Sequence, residues 1–188
     1  VSTTSPGLAL ALADRLDSLL GLFAVGLAPR GSNDPFALRR AALGVIEDLV
    51  ANQVPFDIRQ ALVEAAKLLP VTSDAKTIAA VLTFINGRLE GILRERGFHA
   101  AVIRAVLAEQ GHNPYVASQA TAALAEAMTA PDWQEVLEAY SRCVRITRQL
   151  QETLVVRPDV FTLPAEHTLW ASYQAAAASQ DGTVARLV

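Results

Sequence analysis

The sequence is short of most of the residues that usually announce a chemistry. A single cysteine, Cys143, excludes an internal disulfide in a chain of 188 residues. Only three histidines occur, His99, His112 and His167; they are far apart, and no His-Asp dipeptide exists. No zinc-type ligand spacing is present, and no metal site is expected. There is no glycine-rich phosphate loop, no Ser/His/Asp order and no paired-carboxylate motif. Aromatics are 6% and charged residues 19%. No apolar run approaches the roughly 20 residues a membrane span needs, since Asp14, Arg15 and Asp17 separate Leu8–Leu12 from Leu19–Ala28. The first residues, Val1–Ser5, lack both the basic region of a signal peptide and an initiator Met. The chain therefore reads as an excised piece of a cytoplasmic protein. With a net charge of −3 and a pI near 5.6 it has no global basic field, so any polyanion would have to meet a local patch.

What remains is a hydrophobic share of 52%, which excludes a disordered tail. A chain of this size buries roughly 70% of its unfolded surface. The apolar pattern is helical, and no segment alternates long enough for a strand. Helices are expected from Ser5-Pro6 to about Gly26, from Asp34-Pro35 through Val50, and from Asp57 to about Leu69. Further helices should run from Asp74 to Gly97, Ala100 to Gln110, Tyr115 to Thr129, Pro131-Asp132 to about Gln151, and Leu163 to about Ser179. Val155–Thr162 reads as irregular. Seven or eight helices and no significant sheet make an all-α array. Arginine outnumbers lysine fourteen to two, which is first a matter of composition bias.

Two segments carry charge in a pattern. In Asp34-Pro35-Phe36-Ala37-Leu38-Arg39-Arg40-Ala41-Ala42, Asp34 is placed as N-cap and Pro35 at the first helical position, with Phe36 packing inward against Leu43. Neither Arg39 nor Arg40 lies opposite the apolar stripe. One of them should then be partly buried and need a carboxylate, with Asp14 or Asp17 of the preceding helix as the obvious partner. The alternative role for the two arginines is direct contact with RNA. In the helix after Asp132, Arg142, Arg145 and Arg148 recur every third residue, largely opposite Trp133, Leu137, Tyr140 and Val144, over about 120° of arc. Such a row is either a solvated charged face or a set of bidentate forks for phosphates. His112, Asn113 and Tyr115 can serve an unpaired base, or Asn113 can simply cap a helix with Tyr115 in the core. Cys143 reads as a small buried hydrophobe.

Leu12–Leu19, Phe23–Gly26 and above all Pro29-Arg30-Gly31-Ser32-Asn33-Asp34-Pro35-Phe36-Ala37-Leu38-Arg39-Arg40-Ala41-Ala42-Leu43-Gly44 resemble the β subunit of bacterial glycyl-tRNA synthetases. The resemblance extends more loosely through Phe84–Gly97 and Phe98–Leu107 and returns at Pro131–Ile146. It implies the C-terminal part of that subunit. Residues 1–73 would be the end of an HD-type helical domain with the helices that follow it. Residues 74–188 would be a helical domain like the anticodon-binding domain shared with arginyl-type synthetases, cut short before the family's last helices. Asp14 or Asp17 would then be the remnant of the HD-type metal aspartate.

The same resemblance implies part of an aminoacyl-tRNA synthetase, a ligase of protein biosynthesis. Its partners would be tRNA(Gly) and the α subunit, and its candidate RNA contacts Arg142, Arg145, Arg148, Arg39 and Arg40. ATP would be used by the whole enzyme and bound, with the catalytic residues, by the α subunit. No catalytic residue and no cofactor is expected in this segment. The alternative is an all-α module for structure and subunit association, with RNA contacts elsewhere. Self-association through faces that normally meet missing helices is a further expectation.

Overall fold

A computed structural model describes residues 1–152 and 155–179. The chain divides into two compact units, Val1–Ala125 and Glu126–Val188. Among the described residues there are eight α-helices, one 3-10 turn and no strand; an isolated bridge joins Arg30 and Asn33. The all-α expectation holds.

The first unit contains α1 (Ser5–Ala24), α2 (Leu38–Ala51), α3 (Ile58–Leu68), α4 (Ala75–Glu95), α5 (Ala100–Gln110) and nearly all of α6 (Pro114–Ala127). α1 packs on α2, α3 and α4, and α4 packs in turn on α2, α3 and α5. One core joins them, built from Leu19 and Leu20 of α1, Val45, Ile46 and Leu49 of α2, Ile58 and Leu62 of α3, Ile85, Leu89 and Leu93 of α4, and Ile103 of α5. Each helix turns a stripe at i, i+3 and i+4 toward this core, which is the hydrophobic pattern of the sequence made solid. α4 stands beyond residue 73 but packs with α1–α3, and the compact units divide after Ala125 instead.

Side chains set the helix starts. Thr4 accepts the Gly7 N–H at the head of α1, Asp57 accepts the Gln60 N–H at the head of α3, and Asp74 accepts the Thr77 N–H at the head of α4. The ends of α1, α2 and α4 share one device. Leu27 N–H reaches Leu22 O, Val54 N–H reaches Leu49 O, and Phe98 N–H reaches Leu93 O, each with a second bond closing inside it. This closure puts the residue after the C-cap in the left-handed region, where glycine is favoured. Gly26 (φ 78°) and Gly97 (φ 90°) occupy it at α1 and α4; at α2 the residue is Gln53 (φ 57°).

The start of α2 corrects the sequence reading. Asp34 and Pro35 belong to a turn closed by Ala37 N–H on Asp34 O, and the helix begins at Leu38. Asp34 still caps it from a distance, since its carboxylate accepts the N–H groups of Leu38 (2.8 Å) and Arg39 (2.9 Å). Ala37 stands in the left-handed region at φ 54°, and Phe36 is turned outward, half exposed instead of packed against Leu43.

The second unit contains α7 (Trp133–Thr147), a 3-10 turn at Pro158–Val160 inside the stretch read as irregular, and α8 (Pro164–Ser179). α7 has no buried residue; its apolar members Leu137 and Tyr140 are exposed, and Trp133 and Val144 are only half-buried. Glu166 fixes the start of α8 by accepting the N–H groups of Thr162 and Leu163, both at 2.8 Å. Those two bonds hold its carboxyl below the usual glutamate range. Among the described residues no helix is long and apolar enough to cross a membrane.

Candidate nucleic-acid interface

α7 presents the arginine row as the sequence spacing requires. Arg142 and Arg145 lie on the helix, and Arg148 is its C-cap, still in helical conformation with its N–H on Val144 O (2.9 Å). All three are exposed. Arg142 stands 4.0 Å from Glu138 one turn earlier, at a separation and exposure where an ion pair contributes little. Arg145 and Arg148 have no ion pair among the described residues. A shallow hollow of about 260 Å³ runs beside the row, lined by Gln134, Leu137, Glu138, Ser141, Arg142 and Arg145. Guanidinium forks next to amide and hydroxyl groups on one helix face can hold phosphates of a strand laid along it. Cys143 follows Arg142 in sequence but stands about 100° around the helix from it, and it is exposed, not buried. The burial expected for it presumed a packed α7, and this helix leaves its apolar stripe half open.

In the first unit Arg39 and Arg40 part ways. The buried face of α2 is Leu38, Ala42, Val45, Ile46 and Leu49, which puts Arg39 on its flank and Arg40 opposite. Arg39 is partly covered, donates to Gly31 O, and stands 3.8 Å from Asp34. Arg40 is exposed. The anticipated staple from these arginines to Asp14 or Asp17 is not formed: both aspartates are exposed on α1, and Arg39 satisfies its charge within its own loop.

A different staple joins α1 to α2, and the sequence reading missed it. Arg15 donates to Asp48, and also to Gly44 O at 3.3 Å. Asp48 is 1% exposed and accepts the Ser2 N–H at 2.8 Å as well. Burial pushes its carboxyl up, but the bonds from Arg15 and Ser2 outweigh that and hold it below the ordinary aspartate value. A signal was available, because Gly44 sits one turn before Asp48, and a glycine inside a helix marks a place where another group comes close.

Of the remaining candidates, Asn113 serves the fold as a helix cap. Asn113 accepts the Val116 N–H (3.3 Å) at the start of α6, while Tyr115 is half-buried. His112 accepts the Ile58 N–H through its carbonyl (2.9 Å), and its Nε2 lies 3.9 Å from Asp57. Among the described residues no three His, Cys, Asp or Glu side chains converge as metal ligands would.

Comparison with known proteins decides the family. The family model described as "Glycyl-tRNA synthetase beta subunit" matches residues 1–108. The chain belongs to this family. The matched stretch holds the Arg15–Asp48 staple, the Asp34 turn and both α2 arginines; α7 lies beyond it. A glycine–tRNA ligase of Arabidopsis thaliana, chloroplastic/mitochondrial by name, is 38% identical over 175 residues, covering 92% of this chain and 16% of the relative. The glycine–tRNA ligase beta subunit of Acidithiobacillus ferrooxidans is 36% identical over 177 residues, covering 90% of this chain and 25% of the relative. That of Shewanella oneidensis is 41% identical over 115 residues, 61% of this chain and 17% of the relative. The first two alignments cover too much of the chain to stop within the first unit, so they reach into the second. The chain spans a quarter or less of the length of these relatives.

Proposed function

We propose that this chain is the part of a cytoplasmic glycine–tRNA ligase β subunit that grips tRNA(Gly) on its anticodon side. It would contribute position and not chemistry to glycylation by an α subunit. The observation that carries this reading is the row of Arg142, Arg145 and Arg148 exposed along α7, with no ion pair to Arg145 or Arg148 among the described residues. Phosphate contacts of this kind fix register and orientation. Binding energy gained far from the reacting atoms then serves to orient the acceptor end at a distant catalytic subunit. Arg40, exposed on the first unit, is the natural supplementary contact, whereas Arg39 is committed to its own loop. ATP belongs to the whole enzyme in this reading, and no residue of this chain is assigned to the activation of glycine.

The test is binding of tRNA(Gly) to the chain at low and moderate salt, repeated with Arg142, Arg145 and Arg148 all changed to Ala. Salt-sensitive binding that the triple variant loses supports the proposal. Binding indifferent to the triple change removes it.

A second reading has its own observation. Val136, Tyr140, Ile146, Leu163, Leu169 and Tyr173 are all exposed in the second unit. That much apolar surface suits an association module within the subunit, or between the subunit and its α partner. An unaltered tRNA affinity in the triple variant, together with loss of subunit assembly on Tyr140→Ser, would favour it.

A further inference from the structure

The ends of α2 and α4 and the start of α6 enclose a cleft of about 320 Å³ in the first unit, at the lower end of the range of small-molecule sites. Val50, Phe98, Tyr115 and Ser118 are half-buried in it, and Gln53, Arg96 and Gln119 stand exposed at its edge. The Ser118 hydroxyl donates to Pro114 O (2.9 Å), so it is already used within α6. The side chains of Gln53, Gln119 and Arg96 have no hydrogen-bond or ion-pair partner among the described residues.

Gln53 is the unusual member. It fills the left-handed position of a helix closure that α1 and α4 fill with Gly26 and Gly97. A non-glycine residue is strained there, its Cβ crowding the backbone. Strain kept at one of three equivalent closures, and at the one whose side chain reaches a cleft, points to a use for that side chain. Two ring-bearing side chains, two free carboxamides and one guanidinium make the chemistry that recognises an unpaired base. Rings supply stacking, carboxamides pair with donor and acceptor edges, and arginine meets one phosphate.

A long polyanion fits less well. On its other side Arg96 borders a second hollow lined by Glu47 and Glu95, whose carboxylates repel a continuing phosphate chain. We propose that this cleft binds a single unpaired nucleobase of RNA, with Gln53 and Gln119 reading its edge, Tyr115 and Phe98 supporting its face, and Arg96 on its 5′-phosphate. It is a separate site from the arginine row of α7 and shares with that reading only the nature of the partner.

The experiment is a calorimetric titration of the 188-residue chain with each of the four ribonucleoside 5′-monophosphates, and with inorganic phosphate alone. At least one nucleotide should bind saturably and more tightly than phosphate. Gln53→Gly should weaken it about tenfold while leaving the melting temperature equal or higher, because the glycine relieves the backbone. That pairing separates a lost contact from a lost fold, and Gln119→Ala should weaken the same nucleotide. The triple α7 variant should leave nucleotide affinity unchanged, so failure of either reading shows without the other. No saturable nucleotide, equal affinity for phosphate, or indifference to both glutamine changes overturns the proposal.

Discussion

Arg15 lies directly over Gly44. A Cβ built on that glycine would stand 2.7 Å from the Arg15 Nε and 2.8 Å from its Cζ. An arginine tip can usually swing aside at little cost, but this one is held by Asp48 and by Gly44 O. Gly44→Ala should therefore lower stability, although alanine is the better helix former by about 1 kcal/mol. In an Arg15→Ala background the same substitution should raise stability, since the obstacle is gone and the propensity gain remains. Urea denaturation of the four proteins in this cycle measures the change of sign.

Asp48 ties this arrangement to pH. Its carboxyl is held below the ordinary aspartate value in the folded chain, so folding favours the ionised form. The contribution is full above the unfolded value of about 3.9 and is lost as pH falls through the lower folded value. Wild type should thus lose stability as pH falls below about 4 faster than Asp48→Asn, which has no proton to take up. Arg15→Ala should cost about 3 kcal/mol at neutral pH, because it strands a buried carboxylate. That penalty should shrink on acidification, when Asp48 can become neutral. Denaturation midpoints of the three proteins across this range decide the matter.

Much of the helical plan was legible because capping and apolar spacing are local. Asp57, Asp74 and Asn113 cap where their side chains predict, and α5 runs over the residues its pattern marks. What failed was non-local or ambiguous. Asn113-Pro114 opens a helix at the proline, while Asp34-Pro35 makes a turn first, and the two dipeptides look alike. Aspartate and proline are favoured both at a helix start and at the first two positions of a turn. The α1–α2 ion pair was missed because Arg15 and Asp48 are 33 residues apart and nothing local joins them. The arginines of α7 are exposed, as their spacing predicts. Whether a face meets RNA or water is a property of a partner, which spacing does not encode.

The Asp34 turn gives a third expectation. Asp34→Ala removes acceptors from two helix N–H groups and a nearby charge from Arg39. A loss of about 2 kcal/mol is expected, measured as a lowered denaturation midpoint. Asp34→Asn should recover part of it, since the carboxamide oxygen still accepts one N–H. Pro35→Ala should cost less than Asp34→Ala, because Pro35 only presets the turn and makes no bond. If Pro35 proved the more important of the two, the helix start would depend on turn rigidity and not on the carboxylate.

A thiol moved to position 141, by Ser141→Cys together with Cys143→Ser, turns the α7 reading into a chemical footprint. Ser141 is exposed and lines the hollow beside Arg142 and Arg145, whereas Cys143 stands about 100° or more around the helix from each arginine, so the moved thiol should react with iodoacetamide in the native chain at a rate close to that of the denatured one. If RNA lies along the arginine row it must cover this position, and tRNA(Gly) should slow the alkylation. The protection should fade with added salt, since each guanidinium that meets a phosphate displaces condensed counterions. Changing one arginine of the row to Ala should lower the slope of log affinity against log salt by about 1, and the three together by about 3. A thiol that stays equally reactive under saturating tRNA would put the RNA on another face of the chain. The arginines of α7 would then be a solvated surface, and their spacing a consequence of keeping charge away from the stripe of Trp133, Leu137 and Val144.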